Sequence, residues 1–316
     1  MMQFDRITLG KQAKELGFVR DTFEKVCRLV DVLAFFEEDR FLSDRLALKG
    51  GTAINLTIFE LPRLSVDIDL DYSCDVPRER MLEDRSEITD HIRKYMAANG
   101  YSLSPKSKNY HALDSFVYDY ANAGGMKDNL KIEINYMLRS HVLPAAKRQI
   151  SYFGYPKDVS VLCVNPLEII SAKTVALMNR AAPRDLYDLF NAIKLGMIKA
   201  DNKDIYRKCV AFYAAIASPT APDGFSLENI DGITAQKVKA ALVPVLKRAE
   251  HFNFSEAQKQ VKDYLGKILI PTEAETKFWD AFKKNEYRPE LLFEDAAIVE
   301  RIKEHPMAKW KCSSRN

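Results

Sequence analysis

The sequence predicts an α/β first half, a small mixed sheet with flanking helices, followed by an α-helical second half. Two observations carry this. Between residues 46 and 164 short apolar runs follow the two-residue period of strands and are broken by glycine-bearing turns. After Pro166 the apolar residues recur only at helical spacing. The chain has 316 residues, 47% hydrophobic and 29% charged, which fits an ordinary folded protein and excludes a disordered or collagen-like one. That length suits two domains, expected at residues 1–160 and 161–316.

The elements follow in order. Residues 21–39 predict a helix: Val26, Leu29, Val30, Leu33 and Ala34 share a face, and Asp21 with Glu24 has the spacing of a capping box. LALK at 46–49 reads as a short strand ended by Gly50 and Gly51, and TAINLTIFE begins a short helix. LSVDIDLDY at 64–72 alternates strictly and predicts a strand; residues 79–99 predict a polar amphipathic helix. Strands are expected at 115–121 and 130–138, joined by the hairpin loop AGGMKD, and again at 159–164. LEIISAKTVALMNR then forms a helix, and Pro183 opens another that Gly196 closes. Helices and connections are expected from there on.

Composition narrows the function. Cys27, Cys74, Cys163, Cys209 and Cys312 are dispersed, with no C-x-x-C pair, and no H-E-x-x-H is present, so reduced thiols are expected rather than a disulfide framework or a zinc site. The start lacks a basic segment followed by an apolar run, and no window approaches the roughly 18 apolar residues of a membrane span. A cytoplasmic location without membrane contact is expected. The net charge of +3 does not announce a nucleic-acid binder. Residues 1–150 carry 22 basic and 23 acidic side chains and the remainder 25 and 21, a mild basic excess in the second half.

The densest chemical signal is Asp67, Asp69 and Asp71, at i, i+2 and i+4 of one strand. The strand period puts all three on one face, with Val66, Ile68, Leu70 and Tyr72 on the other. Like charges along one face cost free energy unless positive charge sits there, and a hard divalent cation suits carboxylate oxygens. The plain structural reading is an edge strand kept soluble by charge. Just upstream lies Lys49-Gly50-Gly51-Thr52, where two glycines let backbone approach a ligand and the following helix offers free N–H groups to phosphate. The spacing is neither that of a Walker A loop nor of a dinucleotide-binding fingerprint.

The segment LKGGTAINLTIFELPRLSVDIDLDYS resembles the signature of the AbiEii/AbiGii toxin family, a branch of the nucleotidyltransferase superfamily related to DNA polymerase beta. PLEIISAKTVALMNRAAPRDLYDLF is similar to the family's lysine helix and Arg-Asp segment, and TKFWDAFKKNEYRPELLFEDAAIVERIKEHPMAKWK to its closing helices. The resemblance implies a nucleotidyltransferase-like N-terminal domain, a helical C-terminal domain, and transfer of a nucleotidyl group from an NTP. It implies Mg²⁺ or Mn²⁺ on Asp67 and Asp69, with Glu133, from the strand LKIEINY, as a third carboxylate; an exposed strand glutamate is the alternative. It implies nucleotide contacts by Lys49, Gly50, Gly51, Thr52, Lys173 and Arg180, and catalytic roles for Asp67, Asp69, Lys173 and one of Asp185 and Asp188. Set against these, Lys173 has an apolar stem that snorkelling alone explains, Asp71, one pleat further on, reads as solvated rather than as a ligand, and Arg184 is placed to pair with Asp188. In HPMAKWKCSSRN, Trp310 stands among Lys309, Lys311 and Arg315, either to stack on a base or to anchor the last helix.

The resemblance further implies the toxin half of a toxin–antitoxin or phage-defence system, with a separately encoded antitoxin and an RNA acceptor, tRNA acceptor ends first among them. The alternatives are the same chemistry on a small molecule, a kinase-like phosphoryl transfer to protein, and a degenerate, non-catalytic binding module.

Overall fold

The computed structural model describes residues 4–150 and 158–313. The chain divides into two compact units, neither continuous in sequence. The first comprises Met1–Arg139, Ala145–Val164 and Val245–Glu250, the second Ser140–Pro144, Asn165–Pro244 and His251–Asn316.

The first unit is mixed α/β, as expected. Its elements run α1 (Arg6–Leu16), α2 (Arg20–Glu38), α3 (Arg40–Ser43), β1 (Leu46–Leu48), α4 (Gly50–Thr57), β2 (Asp67–Tyr72), α5 (Arg78–Ala98), β3 (Ser102–Leu103), β4 (Lys108–Asn109), β5 (Leu113–Ala121), β6 (Lys127–Asn135), β7 (Ala146–Gln149) and β8 (Ser160–Cys163). Among the described residues the strands form one eight-stranded sheet in the order β3-β5-β6-β2-β1-β8-β7, with β4 also beside β5. β2 runs parallel to β6 and β1 parallel to β8, while the other pairings are antiparallel. Central placement gives β2 hydrogen-bonding neighbours on both sides and excludes the reading of its carboxylates as edge-strand charges.

Period two sets the faces. Ile68, Leu70 and Tyr72 of β2 and Leu130, Ile132 and Ile134 of β6 are buried. Leu33 and Phe36 of α2 meet Leu46, Leu48, Leu70 and Val161 on this apolar side. The Tyr72 hydroxyl donates to Asp84 of α5 at 2.6 Å, and Arg45 Nε donates to the same carboxylate at 3.0 Å. α5 is thereby tied to the sheet.

Several boundaries differ from the sequence expectation for identifiable reasons. Asp21 does not cap α2. Val19 is the N-cap, Asp21 pairs with Arg20, and Glu24 is buried, accepting from the Ala123 N–H at 2.9 Å and from Arg28. β2 begins at Asp67, not residue 64, because Leu64 N–H bonds the Val245 carbonyl at 2.8 Å and Arg63 bridges to Leu246. β6 ends at Asn135, not 138, because its side-chain oxygen accepts from the N–H groups of Met137 and Leu138 and turns the chain. The β5–β6 hairpin is present, its turn held by Asn122 Oδ1 accepting from Gly124 and Met126.

The second unit contains only helices among its described residues. These are α6 (Pro166–Arg180), α7 (Pro183–Lys194), α8 (Lys203–Ala217), α9 (Ala235–Ala241), α10 (Phe254–Ile268), α11 (Glu273–Lys283), α12 (Ala296–Ile302) and α13 (Pro306–Ser313), with short 3₁₀ turns between them. Pro166 and Pro183 stand in the first turns of α6 and α7, where a missing N–H costs nothing. The core gathers Phe212, Phe278, Phe282 and Trp279, whose indole N–H donates to the Ala211 carbonyl at 3.0 Å. No helix of the described residues is long and apolar enough to cross a membrane.

The Asp84 node yields a pH-dependent prediction. Burial raises its carboxyl pKa, but the bonds from Tyr72 and Arg45 and the charges of Arg45 and Arg80 outweigh burial and hold it below the ordinary aspartate value. A depressed native pKa adds stability above the unfolded value, and that stability is lost as pH falls through the native one. Asp84→Asn therefore costs about 2–4 kcal/mol at neutral pH, a deficit that shrinks below about pH 4. Urea unfolding of both proteins from pH 7 to pH 3 checks it; a pH-independent deficit contradicts it.

Candidate active site

In the first unit the glycine turn and the acidic strand are fastened to each other. Lys49 is the N-cap of α4, and its N–H bonds the Asp69 carbonyl at 2.9 Å. Gly50 has φ of +69°, and a Cβ there would stand 2.7 Å from Asp69 Oδ2 and 3.3 Å from Asp69 Cβ. Glycine is therefore required twice over, for the left-handed backbone and for the approach to the carboxylate. A Cβ on Gly51 would stand 2.6 Å from Arg63 Nη2 and 3.0 Å from Ser65 Oγ. The Thr52 hydroxyl donates to the Asp67 carbonyl at 2.5 Å, and Asn55 Nδ2 donates to the Gly51 carbonyl at 2.8 Å. Thr52 is buried, so its hydroxyl holds the strand; its contribution to an anion falls to its backbone N–H.

The three aspartates part company. Asp67 and Asp69 are half-buried, whereas Asp71 is only 3% exposed. Asp71 receives the Lys49 ammonium at 2.5 Å. Asp71 is therefore not solvated, and Lys49 spends its charge on it. In the β2–β6 register Lys131 stands beside Asp67 and Glu133 beside Asp69, all on one face. Lys131 Nζ lies 2.9 Å from Glu133 Oε2. Burial lowers the Lys131 pKa, but Glu133 first, then Asp67 and Asp69, outweigh it and hold the ammonium above the ordinary lysine value. Among the described residues no group of three or more His, Cys, Asp or Glu side chains is arranged to hold a metal ion. Asp67 and Asp69 stand as the pair, with Glu133 engaged by Lys131.

The second unit brings the other predicted residues together. Lys173 of α6 is 8% exposed, and its Nζ lies 3.1 Å from Asp185 Oδ1 and 2.7 Å from Asp188 Oδ2. Arg180 donates to Asp185 Oδ2 through Nε at 3.0 Å and Nη2 at 2.7 Å. Both aspartates bind the one lysine because a three-residue spacing on α7 turns them to the same side. Two cations and two carboxylates balance formally, and of the four only Arg180 is exposed. Lys173 thus does not snorkel. Arg184 Nε donates to the Ala241 carbonyl at 2.8 Å. Trp310 is about half exposed on α13, and Arg315 lies outside the described residues.

Lys131 escaped the sequence reading, although a residue two positions before Glu133 on a strand must share its face. The partnership of Lys49 with Asp71 also escaped it, since the two are 22 residues apart and only the fold joins them.

The contrast between Gly50 and Gly10 gives a test. Gly10 lies within α1 with nothing within 4 Å of a Cβ, so Gly10→Ala stabilises by about 0.5–1 kcal/mol. Gly50→Ala meets both a positive φ and the Asp69 carboxylate, and destabilises by about 2 kcal/mol or more. Urea unfolding of the two variants reads the difference; equal effects would contradict the assigned role of Gly50.

Comparison with known proteins gives the family and the fold. Residues 33–284 match the family described as nucleotidyl transferase AbiEii toxin, type IV toxin–antitoxin system. No curated protein matches the sequence. Among solved structures the chain is similar to MenT4, a nucleotidyltransferase toxin from Mycobacterium tuberculosis H37Rv, with a TM-score of 0.63 over 97% of this chain and 99% of that one. Their sequences are 14% identical, so this likeness is one of fold. With well over half of its residues matched to the family, the chain belongs to the AbiEii nucleotidyltransferase toxins of type IV toxin–antitoxin systems.

Proposed function

We propose that this toxin transfers a nucleotidyl group from an NTP to RNA, with tRNA acceptor ends as the acceptor class, and that a separately encoded antitoxin counters it in the cytoplasm. The observation that carries the reading is the approach of the glycine turn to Asp69, where a Cβ on Gly50 would stand 2.7 Å from the carboxylate and the Lys49 N–H bonds the Asp69 carbonyl, so that the turn and the acidic pair form one constellation. The mild basic excess of residues 151–316 supports a polyanionic acceptor.

Asp67 and Asp69 would hold Mg²⁺ or Mn²⁺. The donor chemistry fits, because carboxylate oxygens suit hard cations and the same face already accommodates the Lys131 ammonium. A bound divalent ion would supply neutralisation of phosphate charge, which with positioning is most of what such transfers need. Gly50, Gly51 and Thr52 offer the first N–H groups of α4, which have no partner within the helix, to the phosphates. Within the second unit, Lys173 and the exposed Arg180 are the family-implied phosphate-binding groups, with both Asp185 and Asp188 positioning the lysine rather than one alone. A lysine so enclosed presents its charge in a fixed place.

Asp67→Ala and Asp69→Ala test the assignment. Each is expected to lower transfer by at least about 100-fold. Stability holds or rises, because a repelling charge has gone. Incorporation of labelled nucleotide and urea unfolding on the same preparations read both effects; full activity of either variant with Mg²⁺ contradicts the reading.

A further inference from the structure

We propose that Lys131 is a built-in competitor of the divalent cation: it offsets one of the three charges on the carboxylate face of the sheet when no metal is bound, and it must release Glu133 before that residue can join Asp67 and Asp69 as a metal ligand. The inference rests on the metal reading of Asp67 and Asp69.

Register makes the argument. In the parallel β2–β6 ladder Lys131 is the partner of Asp67 and Glu133 the partner of Asp69, so the four side chains form a two-by-two block on one face. Neighbouring strands lie about 4.8 Å apart, and the four-carbon stem of a lysine spans that distance. Its ammonium sits 2.9 Å from Glu133 Oε2 and feels the charges of Asp67 and Asp69 as well. The neighbouring cation, Lys49, is engaged by Asp71.

The block carries three carboxylates against one ammonium, a formal charge of −2, which one divalent cation cancels. Without the ammonium it would carry −3 and attract a free ion more strongly. The Lys131 and Glu133 side chains are 38% and 27% exposed, and an ion pair so exposed is weak and exchangeable. A dication that outbids the lysine can therefore capture Glu133 without unfolding anything. The lysine keeps affinity for the free ion low, so the site fills with the ion that accompanies the triphosphate.

The experiment is a Mn²⁺ titration by calorimetry on the full chain, together with thermal unfolding in a chelator and in Mn²⁺. The proteins are wild type, Lys131→Met, Lys131→Arg, and the Asp67→Ala/Asp69→Ala double variant as a blank. Lys131→Met is expected to tighten Mn²⁺ binding on the order of tenfold, to lower the metal-free Tm and to enlarge the rise in Tm on adding metal. Lys131→Arg, which keeps the charge, is expected to behave as wild type. An affinity of Lys131→Met within about twofold of wild type, or equal tightening by Lys131→Arg, overturns the inference and leaves the metal reading standing. If neither wild type nor Lys131→Met binds Mn²⁺ above the blank, the metal reading itself falls and the inference with it.

Discussion

Mutual repulsion among carboxylates on one face of a central strand is the constraint that organises the first unit. Asp67, Asp69 and Asp71 cannot avoid one another, since the strand period fixes their common face and hydrogen bonds to β1 and β6 fix the strand. Each neighbour answers that constraint differently. Lys49 closes over Asp71 and buries it as an ion pair. Thr52 and the Lys49 N–H hold the backbone of the same strand at Asp67 and Asp69. Gly50 gives up its side chain so that α4 starts against the Asp69 carboxylate. Asp67 and Asp69 remain half-buried on that face, with Lys131 and Glu133 beside them in register.

Much of this was legible in the sequence because two rules act locally. Alternation in VDIDLDY fixes which residues face the core, and consecutive glycines before a helix announce a tight turn. The β5–β6 hairpin followed from its glycine loop, and α6 and α7 from their first-turn prolines. What escaped depended on partners distant in sequence. β3 and β4 have two residues each, too few to show a period, and β7, AKRQ, has no apolar alternation. Asp21 had the spacing of a cap, but Glu24 was needed by the Ala123 N–H, 99 residues away, and the helix began at Arg20 instead. The end of β6 turned on the side chain of Asn135, whose bonds to Met137 and Leu138 stopped a pattern that the apolar residues would have continued.

The lysine of the second unit shows the limit of reading a side chain from its neighbours in sequence. Ile169, Ile170, Val175 and Leu177 surround Lys173 with apolar residues and suggest a stem that reaches for water. The fold instead folds α7 against α6, and Asp185 and Asp188 enclose the ammonium. A charge buried with two opposite charges is costly to remove, so substituting Lys173 takes a cation from both carboxylates, Asp185 keeping Arg180, and unsettles the helix pair. Loss of activity on substituting Lys173 alone therefore mixes chemistry with stability, whereas Asp67 and Asp69 are half-exposed and separate the two.

The central claim is that this site moves the nucleotidyl group of an NTP to RNA. Total cellular RNA incubated with the toxin, Mg²⁺ and each NTP in turn, labelled either at the α or at the γ phosphate, tests it most directly. The account predicts that RNA takes up the α label with at least one NTP, and that the Asp67→Ala/Asp69→Ala protein transfers none. Uptake of the γ label into protein, or no α label in RNA with any NTP, would contradict it.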